Sequence, residues 1–150
     1  MNAAQLAILT ALAGCRPDAA SATPAEVPMS VEAPCVFVRA EADGRVVVRR
    51  GQTEETDLVF GVDLVTPLPA NYAEFVARRL GNARKPLQCT ARGPDAEGRP
   101  RATFVYYAMQ DKSGDIWIDL ATDLLDAGMA TLSAEPFPER AEYQTHVRSP

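Results

Sequence analysis

Leu58-Val59-Phe60-Gly61-Val62 is the stretch that decides the fold, because it is the last of three β-type runs before the pattern changes to that of a helix. β-branched and aromatic side chains lose rotamer freedom in a helix but fit the pleated surface of a strand. Upstream stand Val36-Phe37-Val38 and Arg45-Val46-Val47-Val48; downstream come Leu87-Gln88-Cys89-Thr90 and Ala102-Thr103-Phe104-Val105-Tyr106-Tyr107. Asp43-Gly44 predicts a tight hairpin between the first two runs, since glycine supplies the positive φ such a turn needs. The polar run Gly51-Gln52-Thr53-Glu54-Glu55-Thr56 predicts the next turn, and Pro94-Asp95-Ala96-Glu97-Gly98 a later one.

Helical signals fill the gaps. Asn71 is an N-cap residue with Glu74 three positions on, Tyr72, Phe75, Val76 and Leu80 share one face, and Gly81 marks the end. Ile116-Trp117-Ile118 predicts a short strand, followed by a helix capped by Asp119 or Thr122 that buries Leu120, Leu124 and Leu125 before Gly128. A last short helix is expected from Pro138 to His146, with proline and Glu139 favouring its first turn. The expected class is α+β, with five strands and about three helices.

At 150 residues and 16.2 kDa, with 47% hydrophobic residues, the chain has material for one core. A net charge of −5 and a pI near 4.9 oppose a nucleic-acid partner, because a polyanion is repelled at long range. Arg78, Arg79, Arg84, Lys85, Arg92, Arg99 and Arg101 concentrate positive charge in the middle third and fit solvated surface.

The first 14 residues are apolar and uncharged, and they end in Leu12-Ala13-Gly14-Cys15, which resembles a bacterial lipobox. That pattern predicts a signal segment over 1–15 and Cys15 as the lipidated residue, placing the chain on the periplasmic side of the bacterial cell envelope. A hydrocarbon core needs roughly 20 apolar residues, so a spanning helix is not expected; an ordinary helix with an incidental cysteine is the alternative. Residues 16–34, with Pro17, Pro24, Pro28 and Pro34, predict a tether, leaving 35–150 as the folded domain. In an exported compartment Cys35 and Cys89 are a candidate disulfide; two separately buried thiols are the alternative. With one histidine in the chain and no metal-like cysteine spacing, a zinc site is not expected.

In order and spacing the folded part resembles the staphylococcal (micrococcal) nuclease family, also called thermonuclease-like. Asp43-Gly44 matches the family's Asp-Gly turn, and Val59-Phe60-Gly61-Val62-Asp63 the strand that ends in a metal-binding aspartate. Asp95-Ala96-Glu97-Gly98-Arg99 matches its Asp-x-x-Gly-Arg turn, and Leu124-Leu125-Asp126-Ala127-Gly128-Met129-Ala130 its helix ending. The resemblance runs from Val36 to about His146. It implies a five-stranded OB-type β-barrel with three helices and, for an active member, Ca²⁺-dependent phosphodiester cleavage.

The same resemblance implies that this chain has lost that chemistry. Asp63 matches one calcium ligand, but the other falls on Arg45. Leu58 occupies the position of one phosphate-clamping arginine, and Leu64-Val65-Thr66-Pro67-Leu68 contains no catalytic glutamate. Arg99 alone matches a catalytic side chain, and Ala96-Glu97 replaces the family's Lys-Tyr pair. A general base contributes about 10² to 10⁴ in rate and each electrostatic partner about 10² to 10³, so their joint loss predicts no useful turnover. The retained Asp63 and Arg99 are expected to form a salt bridge across the former site. His146 is expected on the surface, and Trp117, Tyr106 and Tyr107 in packing rather than in a base-stacking platform.

These readings lead to a non-catalytic, membrane-tethered binding or accessory subunit of an envelope protein assembly, with a protein partner and no cofactor. Two alternatives carry distinct expectations. A secreted Ca²⁺-dependent nuclease with a rearranged site would use Asp63, Asp43 and Arg99 with Glu54, Glu55 or Glu97 as base, whereas an OB-type oligonucleotide-binding module would bind with steep salt dependence.

Overall fold

Asp43-Gly44 does turn the chain back on itself, and two contacts explain why glycine stands there. Gly44 has φ +93°, and a Cβ on it would lie 2.1 Å from Leu64 Cδ1. The Gly44 carbonyl also accepts the hydroxyl of buried Tyr72 at 2.7 Å, which ties this turn to the first helix.

The computed structural model describes residues 33–147, and the segments predicted as signal and most of the tether, including Cys15, lie outside them. Within the described residues the chain is α+β, a β-rich core with three helices. The strands are β1 (Ala33–Ala40), β2 (Val46–Arg50), β3 (Thr53–Val59), β4 (Val62–Leu64), β5 (Leu87–Ala91), β6 (Arg101–Asp111), β7 (Gly114–Asp119) and β8 (Ala130–Leu132). The helices are α1 (Tyr72–Leu80), α2 (Leu120–Asp126) and α3 (Arg140–Gln144). Six strands follow the order β3-β2-β1-β5-β6-β7, and β3 makes a further, parallel pairing with β6 through Leu58↔Arg101 and Val59↔Ala102. β4 and β8 form a separate antiparallel pair.

Alternation builds the core. Ala102, Phe104 and Tyr106 of β6 are buried at every second position, and Val46 and Val48 of β2 join the same core, with Val47 between them buried as well. Tyr72, Val76 and Leu80, four residues apart, form the inward stripe of α1, and Leu120, Ala121, Leu124 and Leu125 that of α2. Cys35 and Cys89 are both buried and disulfide-bonded across the β1–β5 pairing, with Cα atoms 6.0 Å apart and a sequence separation of 54.

Several boundaries differ from expectation. The run 51–56 is not a turn: only Gly51 and Gln52 turn, and β3 starts at Thr53. Thr53 and Glu54 face solvent, Arg49 of β2 stands opposite Glu54, and Glu55 lies 3.1 Å from Arg50. The third run breaks at Phe60-Gly61, where Gly61 has φ +82°, so Val62–Leu64 leaves the main sheet and pairs with β8. β1 begins at Ala33, which makes Pro34 part of a strand rather than of the tether. Asn71 occupies the N-cap of α1 but its side chain makes no capping bond, since its φ/ψ of −90°/7° is not the extended geometry that aims it at the first N–H groups. Gly81 remains right-handed at φ −74°, so α1 ends without a left-handed cap. α3 is confined to Arg140–Gln144, shorter than the span 138–146.

Candidate functional site

The turn at 95–99 is a self-contained unit built around one carboxylate. Asp95 accepts the N–H groups of Glu97 at 3.0 Å and Arg99 at 2.8 Å, and Gly98 provides the positive φ that lets the loop close. The Arg99 guanidinium folds back onto the same residue, Nε to Oδ2 at 2.7 Å, and onto Glu97. Desolvation pushes the Asp95 carboxyl upward, but these N–H donors and the guanidinium together hold it below its ordinary range.

Facing this turn, β4 and the segment after β8 complete a cleft of about 640 Å³. Leu58, Val59, Val62, Leu64 and Leu68 supply its apolar lining. Asp43, Asp63, Asp95, Glu97 and Glu135 supply its carboxylates, and Arg99 and Arg101 its guanidiniums. Asp63 and Arg99, the two residues singled out by resemblance, therefore line one cavity. They do not pair. The expected Asp63–Arg99 salt bridge is replaced by the Arg99 contacts to Asp95 and Glu97, partners within four residues that cost almost no loop closure.

The other charges are committed too. Arg101 donates to Glu135 at 2.6 Å and to the Pro94 carbonyl at 3.0 Å, and its guanidinium stacks 5.2 Å from the Phe60 ring centroid. Arg45, where the resemblance implies a calcium ligand, turns back to Asp43 at 2.7 Å and faces a neighbouring depression with Leu58. Its hydrogen bond holds the Asp43 carboxyl low. Asp63, exposed at the centre of β4, makes no side-chain hydrogen bond or ion pair among the described residues; its backbone pairs with Thr131 of β8, whose hydroxyl also reaches the Asp63 carbonyl at 3.3 Å.

This donor set does not fit a calcium ion, which takes six to eight oxygens. Asp43 and Asp95 already face cations, and among the described residues no three His, Cys, Asp or Glu side chains come together as a metal site. Of the bases considered for a rearranged nuclease, Glu54 sits on β3 beside Arg39 at 3.5 Å and Glu55 beside Arg50; neither lines the cleft, whereas Glu97 does. His146 lies 3.0 Å from Asp126, outside the cleft. Tyr106 is buried and donates its hydroxyl to Asp123, while Tyr107 and Trp117 form an edge-to-face pair 5.7 Å apart with Lys85 4.3 Å from the Tyr107 centroid.

Sequence reasoning missed Ser133, Glu135 and Arg101 as lining residues. Glu135 carries no motif, and its place follows from the β4–β8 pairing, a contact across 68 residues that no local pattern announces. No protein-family model and no curated protein matches the chain.

Proposed function

We propose that this chain is a non-catalytic binding module on a nuclease-like OB-type barrel, tethered at the bacterial envelope through a lipidated Cys15 and acting as an accessory subunit of a protein assembly. The pairings β1–β2, β2–β3, β3–β6, β6–β5 and β5–β1 return to their starting strand and support a five-stranded barrel. The lipobox-like Leu12-Ala13-Gly14-Cys15 and the proline-rich stretch after it support the tether.

The observation that carries the reading is the engagement of Arg99. A phosphate-clamping guanidinium must be free to meet the charge that develops in the transition state, and this one is held by Asp95 and Glu97 within its own turn. Of the described carboxylates that line the cleft, Asp63 alone is left open, and it has no second ligand to share a cation. Loss of the water-activating glutamate removes a further factor of about 10² to 10⁴.

The test is cleavage of single- and double-stranded DNA by the full chain in detergent with Ca²⁺, beside Arg99→Ala. Equal, background rates are expected. Cleavage by the wild type well above the variant would reject the reading in favour of a nuclease with a rearranged site. Steeply salt-sensitive binding to single strands without cleavage would favour the oligonucleotide-binding alternative.

A further inference from the structure

We infer that the cleft takes a basic, extended peptide segment of a partner protein, with a lysine or arginine side chain on Asp63. The inference rests on the reading of the chain as a non-catalytic binding module and names the partner chemistry of that same site.

Charge selects the ligand's sign. Five carboxylates line the cleft against two guanidiniums, and both guanidiniums are already paired with carboxylates of the lining. Including Arg45, which neutralises Asp43 from the neighbouring depression, the surplus is two negative charges. Phosphate or nucleic acid would meet that surplus with no free cation to receive it. A cation meets Asp63, whose carboxylate keeps both oxygens unengaged among the described residues.

Shape and a second polar group argue for a peptide rather than a bare ion. The apolar lining from Leu58, Val62, Leu64 and Leu68 suits the alkyl stem of a lysine or arginine and an apolar neighbour. Ser133, only 5% exposed and also lining the cleft, accepts the Glu135 N–H at 3.4 Å, but its hydroxyl donates to no acceptor among the described residues. A peptide carbonyl entering the cleft supplies one, while the side chain beside it reaches Asp63.

The test is fluorescence anisotropy with the full chain in detergent at low salt and three labelled probes: Lys-Leu-Lys-Leu-Lys, pentalysine and Glu-Leu-Glu-Leu-Glu. The alternating basic peptide is expected to bind best and to weaken with salt, since exposed charges are screened within about 10 Å at 0.1 M. Asp63→Asn should weaken it about threefold and Asp63→Lys roughly tenfold, in line with a partly exposed charge pair. Ser133→Ala should weaken the basic peptide, while Glu142→Gln, an exposed acid on α3 outside the cleft, should leave binding unchanged. Equal binding by wild type and Asp63→Lys would overturn the site, and equal binding of pentalysine would overturn the apolar subsite. No binding of any probe, with no DNA cleavage, would overturn this inference while leaving the non-catalytic reading intact. DNA cleavage would overturn that reading itself.

Discussion

Asp119 accepts the Ala121 N–H at 3.0 Å and the Tyr143 hydroxyl, whereas the side chain of Asp63 on β4 accepts no hydrogen bond among the described residues. Around Asp119 the molecule closes on itself. Phe137 sits between Phe60 and Tyr143 at centroid distances of 5.4 and 5.3 Å, and Arg92 lies 4.3 Å from the Phe60 centroid and 2.8 Å from Glu139. Gly61 is pressed so closely that a Cβ would lie 2.6 Å from Tyr143. Around Asp63 the side chains instead leave a cleft. The contrast separates carboxylates that hold the fold together from one that the fold presents outward, and graded substitutions should reveal it.

The largest effect belongs to the closed side. Reducing Cys35–Cys89, or replacing both by serine, should cost about 4 kcal/mol by the chain-entropy account of a 54-residue separation. Denaturant midpoints with and without reductant measure it. A difference below 1 kcal/mol would mean that the β1–β5 pairing holds without the crosslink.

Tyr143→Phe should cost about 1 to 3 kcal/mol, because it strips a donor from a partly buried carboxylate. Burial raises the Asp119 carboxyl above its ordinary range, and the Tyr143 bond works against that rise. The variant therefore lifts the folded-state value further, and its deficit should be greatest near neutral pH and shrink in acid, where Asp119 carries a proton. A deficit independent of pH would mean that the loss does not act through the Asp119 carboxylate.

Asp57 should move in the opposite direction. It is 8% exposed on β3 and accepts no hydrogen bond among the described residues, and desolvation, then the nearby Glu55, raises its carboxyl above the ordinary 3.8. A folded value above the unfolded one means that stability is full below pH 3.8 and is lost as pH rises through the folded value. Asp57→Asn should thus gain about 1 kcal/mol at pH 7 and lose that advantage in acid. A destabilised variant at pH 7 would show that the charge is compensated in the folded state.

Which of these contacts could be seen in the sequence follows from their range. The Asp43-Gly44 turn, the buried stripe of α1 and the Asp119 cap depend on neighbours within a few residues; the pattern announces the first two and offers Asp119 beside Thr122 for the third. β3 was misplaced because cross-strand charge pairing with β2 outweighed a composition that suggested a turn. The cleft was half legible. The resemblance brings Asp63 and Arg99 to one site, but which carboxylate Arg99 chooses is settled by a turn geometry in which Asp95 accepts three donors at once. Ser133 and Glu135 reach the cleft through the β4–β8 pairing, which leaves no local trace.

The smallest effect is the sharpest test of the comparison. Asp63→Ala should change unfolding free energy by no more than about 0.5 kcal/mol, because its exposed carboxylate has no partner to abandon and no cavity to leave. A loss above 1 kcal/mol would place Asp63 among the structural carboxylates and dissolve the distinction from Asp119. A small gain would agree with relief of repulsion among the carboxylates that share the cleft, since removing one lowers a negative surplus that nothing in the lining neutralises.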